Sequence, residues 1–136
     1  MPTDAPYVFD AGAVIAYLQD EPGAGEVLQL LEGQRCLVHV ISVCEVYYDL
    51  MRRSGQEVAD GLEGVITAAG FEIHSALPTK LWRQAGRLKA ERRRISLADC
   101  FAIAFALGEQ GTFVTTDHHE LDPVAASGLC PIRFIR

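Results

Sequence analysis

Short β-branched and aromatic runs alternate with segments of helical periodicity along most of this chain, and no other feature limits its possible folds as much. Tyr7–Asp10 reads as a strand ending in an acid, and Val14, Ile15, Tyr17 and Leu18 follow at helical spacing. Pro22-Gly23 breaks the chain before a short helix over Glu26–Leu31. Cys36–Ile41 is a β-branched run expected to be a strand, and Ser42–Arg53 a helix with Val43, Val46, Tyr47 and Leu50 inward. A weaker helix, interrupted by Gly61 and Gly64, is expected over Gln56–Ala69, then a strand over Phe71–His74. Pro78–Arg93 is a basic amphipathic helix with proline in its first turn, and Ser96–Leu107 a nearly all-apolar and therefore buried helix. Strands are expected again at Thr112–Thr116 and Ile132–Ile135. Alternation of this kind implies a parallel sheet with helices on both faces.

Size and composition bound the rest. One domain spanning residues 1–136 is expected, and 49% apolar residues suffice for a core without a metal or disulfide staple. No apolar run reaches the roughly 18 residues needed to span a bilayer. Met1–Pro6 lacks a basic-then-apolar leader pattern, so a cytoplasmic protein with no membrane association is expected. Cys36, Cys44, Cys100 and Cys130 form no Cys-x-x-Cys pair and read as reduced, mostly buried thiols.

A net charge of −6 argues against a nucleic-acid partner until its distribution is considered. Seven of the 12 basic residues (Lys80, Arg83, Arg87, Lys89, Arg92, Arg93 and Arg94) lie between Lys80 and Arg94, with Glu91 the only acid among them. Such a run is commonly a solvated helix face. This one leads directly toward Asp99, and a basic wall beside an acidic site suits a phosphodiester substrate.

Four acids, Asp10, Glu45, Asp99 and Asp117, each have a plain structural explanation. Asp10 and Asp117 stand where strands end, at positions that favour an N-cap. Glu45 and Asp99 close Ser42-x-x-Glu45 and Ser96-x-x-Asp99, which match capping boxes. In a parallel α/β sheet, however, strand ends and helix starts share one edge, which is where ligands bind. The capping explanation therefore itself sets four carboxylates along one rim. Carboxylates brought close repel and hold protons unless a cation joins them, and oxygen-only ligands select Mg²⁺ or Mn²⁺ over zinc. Glu45 has Asp49 rather than a cation at i+4, while Asp49 is itself explained by Arg53. Other motifs are weak. Gly23-Ala24-Gly25 follows no strand, there is no P-loop, His39 and His74 require no function, and His118-His119 allows a metal ligand but reads more simply as a surface loop or cap.

The stretches YVFDAGAVIAYLQDEPGA, ISVCEVYYDLMRR, SLADCFAIAFAL and TFVTTDHHELD resemble, in order and spacing, the four acidic motifs of PIN-domain nucleases, over about Tyr7 to Arg136. The stand-alone length resembles the VapC-like toxin branch. The resemblance implies a three-layer α/β fold with a central parallel sheet of four or five strands. It implies Mg²⁺- or Mn²⁺-dependent cleavage of RNA, with Asp10, Glu45, Asp99 and Asp117 catalytic and Asp10, Asp99 and Asp117 holding metal. Thr116 would be the supporting hydroxyl beside the last acid, and Arg87, Arg92, Arg93 and Arg94 would contact RNA. The resemblance further implies a homodimer and a VapB-like antitoxin, for which Tyr47, Tyr48, Leu50, Leu62 and Val65 offer an apolar clamp, with Tyr47 the one more simply read as core. Two positions depart from the pattern: Gly12 replaces a common Ser or Thr, and His119 replaces a common acid. These departures favour the alternative, a catalytically silent PIN-like module that binds RNA or protein. A phosphoryl-transfer receiver domain fits less well, because no lysine follows Lys89.

Overall fold

The computed structural model describes residues 5–136; of the N-terminal segment read above for a leader, residues 1–4 lie outside them. Five parallel strands form one sheet: β1 (Tyr7–Phe9), β2 (Cys36–His39), β3 (Phe71–His74), β4 (Thr112–Thr115) and β5 (Ile132–Phe134). Their order is β3-β2-β1-β4-β5. Helices α1 (Ala11–Leu18) and α2 (Ala24–Gly33) link β1 to β2. Helices α3 (Val40–Ser54), α4 (Gln56–Asp60) and α5 (Leu62–Ala69) link β2 to β3. The crossover back to β4 is made by α6 (Thr79–Glu91) and α7 (Leu97–Gly108), and α8 (His118–Ser127) precedes β5.

Period-two side-chain alternation feeds both faces of the sheet. Phe9, Val38 and Val114 join one core with Val14, Val27, Val46, Leu62 and Ile66. Their neighbours Val8, Leu37 and Phe113 join a second core with Leu81, Leu88, Ile103 and Leu121. Each fully buried aliphatic or aromatic side chain contributes roughly 1.5–3 kcal/mol. The central strands are apolar at successive positions because helices cover both faces.

Several boundaries differ from the sequence expectation, among them α6, which runs Thr79–Glu91 with Pro78 as its N-cap rather than in its first turn. The second strand stops at His39, and α3 begins at Val40, taking in two β-branched residues of the expected strand. His39 caps it: Nδ1 accepts from the Ile41 amide at 3.2 Å and Nε2 donates to the Ala76 carbonyl at 2.9 Å. The ring thus has a structural task that its alternation in the sequence did not reveal. The interrupted helix divides at Gly61, while Gly64 lies within α5. Helix α8 was anticipated only by the cap position of Asp117, with no helical run read after it. Pro123 lies inside it and only Leu121 and Val124 are buried, so its apolar signal is short and broken. Gly23, at φ +101°, is required by close packing, because a Cβ there would strike the Ile135 carbonyl.

The order β3-β2-β1-β4-β5 makes the junction of β1 and β4 the switch point. The chain leaves β1 toward β2 on one side, and β4 and β5 lie on the other. A crevice at the carboxyl ends of the strands opens at such a junction.

Candidate active site

Asp10 follows β1 and Asp117 stands just beyond β4, so they flank the switch point. The Asp10 amide donates to the Val114 carbonyl at 3.1 Å, which extends the β1–β4 pairing to the site. Its Oδ1 accepts from the Ala13 amide at 2.7 Å, capping α1, and its Oδ2 accepts from the Thr115 hydroxyl at 2.6 Å. The same hydroxyl accepts from the Asp117 amide at 3.0 Å. One fully buried threonine therefore ties the two strand ends together.

Thr115, not Thr116, makes this link. Residue 115 is the last of its strand, and its side chain turns inward beside Asp10, whereas Thr116 is only half-buried. Thr116 occupies a different niche. A Cβ added at Gly12 would stand 3.0 Å from the Thr116 Oγ1 and 3.6 Å from the Asp10 Oδ1. The Thr116 hydroxyl thus fills the space that a side chain at position 12 would take.

Asp10 is only 4% exposed. Burial pushes its pKa up to about 6, against the lowering by the Thr115 and Ala13 hydrogen bonds, and the charges of Asp117 and Glu45 add to the rise. Asp99 is pushed further, to about 7, first by burial and then by the charges of Asp10 and Glu45, with Asp117 also raising it. Asp10 and Asp99 thus each feel the charges of Glu45 and Asp117, which brings the four acids into one neighbourhood.

The cap of α7 is half of the expected box. The Ser96 hydroxyl accepts from the Asp99 amide at 3.1 Å, and its contact with the Asp99 side chain lowers that carboxyl's pKa against the larger effects that raise it. The Ser42-x-x-Glu45 box does not form, because α3 starts upstream of Ser42 and leaves Glu45 in its second turn. Capping therefore does not account for the Glu45 carboxylate, and the Ser96 contact leaves the Asp99 carboxyl raised all the same. Glu45 is exposed at its tip, and partial burial raises its pKa. Asp49 pairs with Arg53 at 2.9 Å, as the spacing implied.

Glu120 was missed by sequence reasoning. Asp117 caps α8 through Oδ1, accepting from the Glu120 amide at 3.1 Å, so Glu120 stands in the first turn directly beside it. Carboxylate oxygens of Asp99, Asp117 and Glu120 lie within 4.8 Å of one another. The signal was the i+3 spacing from Asp117, which has meaning only once α8 is known to begin there. The acid absent at His119 is thus supplied one residue later. His118 is otherwise engaged: it stacks on Phe134 at 4.1 Å and bonds Asp122 at 3.0 Å and the Arg136 carbonyl at 2.7 Å.

The basic segment divides into two parts. Lys80, Arg83 and Arg87 lie on one face of α6 and line a shallow groove with Thr79 and Gln84. Arg92, Arg93 and Arg94 lie on the α6–α7 loop and line a separate cleft with His119 and Glu120. Lys89 contacts neither cleft. Its ammonium group donates to the carbonyls of Arg93 at 2.8 Å and Ile95 at 2.7 Å, which fixes that loop. Of the residues suggested as an apolar clamp, Tyr47 packs on the core and donates to Asp60 at 2.6 Å, and Leu50 and Leu62 are buried. Tyr48 and Val65 are exposed, as are Met51 and Val58 nearby. Cys36, Cys100 and Cys130 are buried and Cys44 is exposed. Among the described residues, no helix is long and apolar enough to cross a membrane.

The carboxylate set, all oxygen, fits a hard divalent cation, because negative charges packed this closely favour a positive charge among them.

No curated protein sequence matches the chain. Solved structures do match in fold. VapBC2 from Rickettsia felis, bound to a DNA fragment from its promoter, superposes with TM-score 0.73 at 16% identity, covering 94% of this chain and 97% of that one. DNA-bound VapBC from Salmonella typhimurium gives 0.72 at 16% identity, covering 97% and 99%. VapC20 from Mycobacterium tuberculosis, a sarcin–ricin loop cleaving toxin, gives 0.70 at 14% identity, covering 93% and 98%. The family model for the PIN domain matches residues 7–126, which include every acid of the site. By that match, the chain belongs to the PIN domain family.

Proposed function

We propose that this chain is a divalent-metal-dependent endoribonuclease acting as the toxin of a toxin–antitoxin pair. The observation that carries the reading is the convergence of Asp99, Asp117 and Glu120 beside buried Asp10, at the switch point of the sheet. Asp99, Asp117 and Glu120 would hold Mg²⁺ or Mn²⁺, with Asp10 joining them through the lone pair that each of its oxygens keeps free. Bound there, the ion supplies the positive charge that lowers the pKa of a water and offsets charge on the phosphate. Glu45, exposed and of raised pKa, accepts a proton from the attacking water. Thr115 keeps Asp10 and Asp117 in fixed relation. Attack at phosphorus leaves 3′-hydroxyl and 5′-phosphate ends.

The arginines take the RNA backbone. Arg92, Arg93 and Arg94 stand in the cleft that includes Glu120, and Arg87 extends the basic surface along α6 with Lys80 and Arg83. Replacing them by alanine should weaken RNA binding and flatten its salt dependence. A VapB-like antitoxin is the partner suggested by the folds of the VapBC complexes, and exposed Tyr48, Met51, Val58 and Val65 offer it an apolar surface. A homodimer within a single-domain, cytoplasmic protein completes the proposal.

The test is cleavage of a mixed RNA pool by purified protein with Mg²⁺, with Mn²⁺ and with EDTA, alongside Asp10→Asn and Asp99→Asn. Metal-dependent cutting that both substitutions abolish is expected. A folded protein, free of copurified antitoxin, that cuts under no condition would instead be a silent binding module. Glu120 weighs against that outcome, because it restores the acid that His119 lacks.

A further inference from the structure

Glu120 belongs to two features at once. Its carboxylate is part of the group formed with Asp99 and Asp117, and its side chain also lines a cleft of 560 Å³ between the α6–α7 loop and α8. That volume lies in the roughly 300–1,000 Å³ range of pockets for small ligands. The cleft therefore adjoins the proposed metal position. Its walls are chemically divided. Arg92, Arg93 and Arg94 supply positive charge, exceeding the acids Glu91 and Glu120 in number, while Pro123, the edge of Val124 and the ring of His119 supply apolar and aromatic lining.

The arginines differ in availability. Arg92 is anchored by a 3.3 Å bond to the Ser127 hydroxyl on α8. Arg93 and Arg94 are exposed, and no side chain holds their guanidinium groups among the described residues. The Lys89 ammonium, bonded to the carbonyls of Arg93 and Ile95, holds the loop backbone while these two side chains remain free. His119 likewise is exposed, in contrast to its tethered neighbour His118.

We infer that this cleft is a nucleotide subsite: it receives the nucleotide next to the scissile phosphate, with the phosphate on Arg93 and Arg94 and the base against His119, Pro123 and Val124. A basic wall facing an aromatic and apolar one is the combination by which single-stranded nucleic acid is held, by charge along the backbone and stacking on the bases. His119 then occupies the position where it bears on which base is accepted, so the departure from the family pattern at this residue has a use. The inference rests on the nuclease reading for the identity of the site but not for the existence of the subsite.

Its test separates the two. Backbone amide NMR spectra of Asp10→Asn protein, with Mg²⁺ present, are titrated with AMP, CMP, GMP and UMP and with inorganic phosphate. Shifts are expected at Ile95, His119 and Val124, with at least one nucleotide binding about tenfold more tightly than phosphate. His119→Ala should remove most of that advantage and leave phosphate binding unchanged. Arg93→Ala combined with Arg94→Ala should weaken both ligands. In wild-type protein, His119→Ala should change the bases flanking the cleavage sites more than the total rate. Nucleotides that bind no better than phosphate, or that shift resonances elsewhere, overturn the subsite even if the protein cuts RNA. Selective nucleotide binding in the cleft sustains it even if no RNA is cut.

Discussion

The Thr115 hydroxyl donates to Asp10 at 2.6 Å across 105 residues of sequence, and the same oxygen accepts from the Asp117 amide. Asp10 is thereby supplied with a charge-assisted bond in a place where burial otherwise favours its protonated form.

Thr115→Val should therefore act in two ways. A buried hydrogen bond to a charged group contributes about 1.5–3 kcal/mol, so the melting temperature at pH 8 should fall. The Asp10 pKa should rise further, because one of the two bonds lowering it is gone. Metal-dependent RNA cleavage at pH 7 should drop by about tenfold or more and recover in part at higher pH. Thr115→Ser should behave nearly as wild type. Equal activity of the valine and serine variants across pH would remove Thr115 from the site.

Asp10 and Asp99 also set the pH dependence of the metal-free protein. Their folded pKa values, about 6 and about 7, lie above the ordinary carboxylate value of 3.8. Between about pH 4 and 7 the folded state therefore binds more protons than the unfolded state, and stability falls as pH rises through that window. The two-unit rise at Asp10 alone corresponds to about 3 kcal/mol. In EDTA, the melting temperature should be lower at pH 8 than at pH 5. Mg²⁺ or Mn²⁺ should restore it at pH 8 and do little at pH 5, where bound protons compete with the ion. A metal-free melting temperature that rises from pH 5 to 8 would contradict this account.

How much of this could be read from the chain follows from the range of each signal. The strands were visible because Val8, Phe9, Leu37, Val38, Phe113 and Val114 are apolar on both faces, and that composition is local. Asp10 and Asp117 were found for the same reason: a strand end followed by an acid is a local pattern. Glu45 and Asp99 were singled out through capping boxes, of which one does not form and the other leaves its acid with a raised pKa despite the Ser96 contact. These two candidates were thus reached by a route that the structure supports only in part. Glu120 and Thr115 escaped because each depends on a contact that the sequence does not display. Glu120 needs the start of α8, which Pro123 obscures, and Thr115 needs the register Phe9 to Val114, which aligns the ends of β1 and β4. The division of the basic run between a helix face and a loop was also hidden, because it depends on α6 ending at Glu91.

Asp99→Asn distinguishes a metal ligand from a helix cap by stability alone. An acid that served only the α7 N-terminus would contribute about 0.3–1 kcal/mol, and its loss would destabilise the protein slightly. Asp99 is instead half-buried near the charges of Asp10 and Glu45, and its contact with Ser96 is too weak to offset them. Asparagine should therefore raise metal-free stability at pH 8 by roughly 1–3 kcal/mol, measured by urea denaturation, while abolishing stabilisation by Mn²⁺. A destabilised variant that still gains stability from Mn²⁺ would return Asp99 to the role of a cap.

Glu120→Gln tests the residue that the sequence did not reveal. Its amide still donates to Asp117, so the cap of α8 is retained and the fold should persist. What is lost is one negative oxygen from the group within 4.8 Å of Asp99 and Asp117. Mn²⁺ affinity, measured by calorimetry in metal-free buffer, should fall by about tenfold or more, and cleavage at limiting metal should fall with it. Raising the metal concentration should recover much of the rate, because Asp99, Asp117 and Asp10 remain. His119→Gln, one residue earlier and outside the carboxylate group, should leave Mn²⁺ affinity unchanged. If the two variants bind Mn²⁺ equally well, the acid at position 120 is not a ligand, and the ion is held by the other three carboxylates alone.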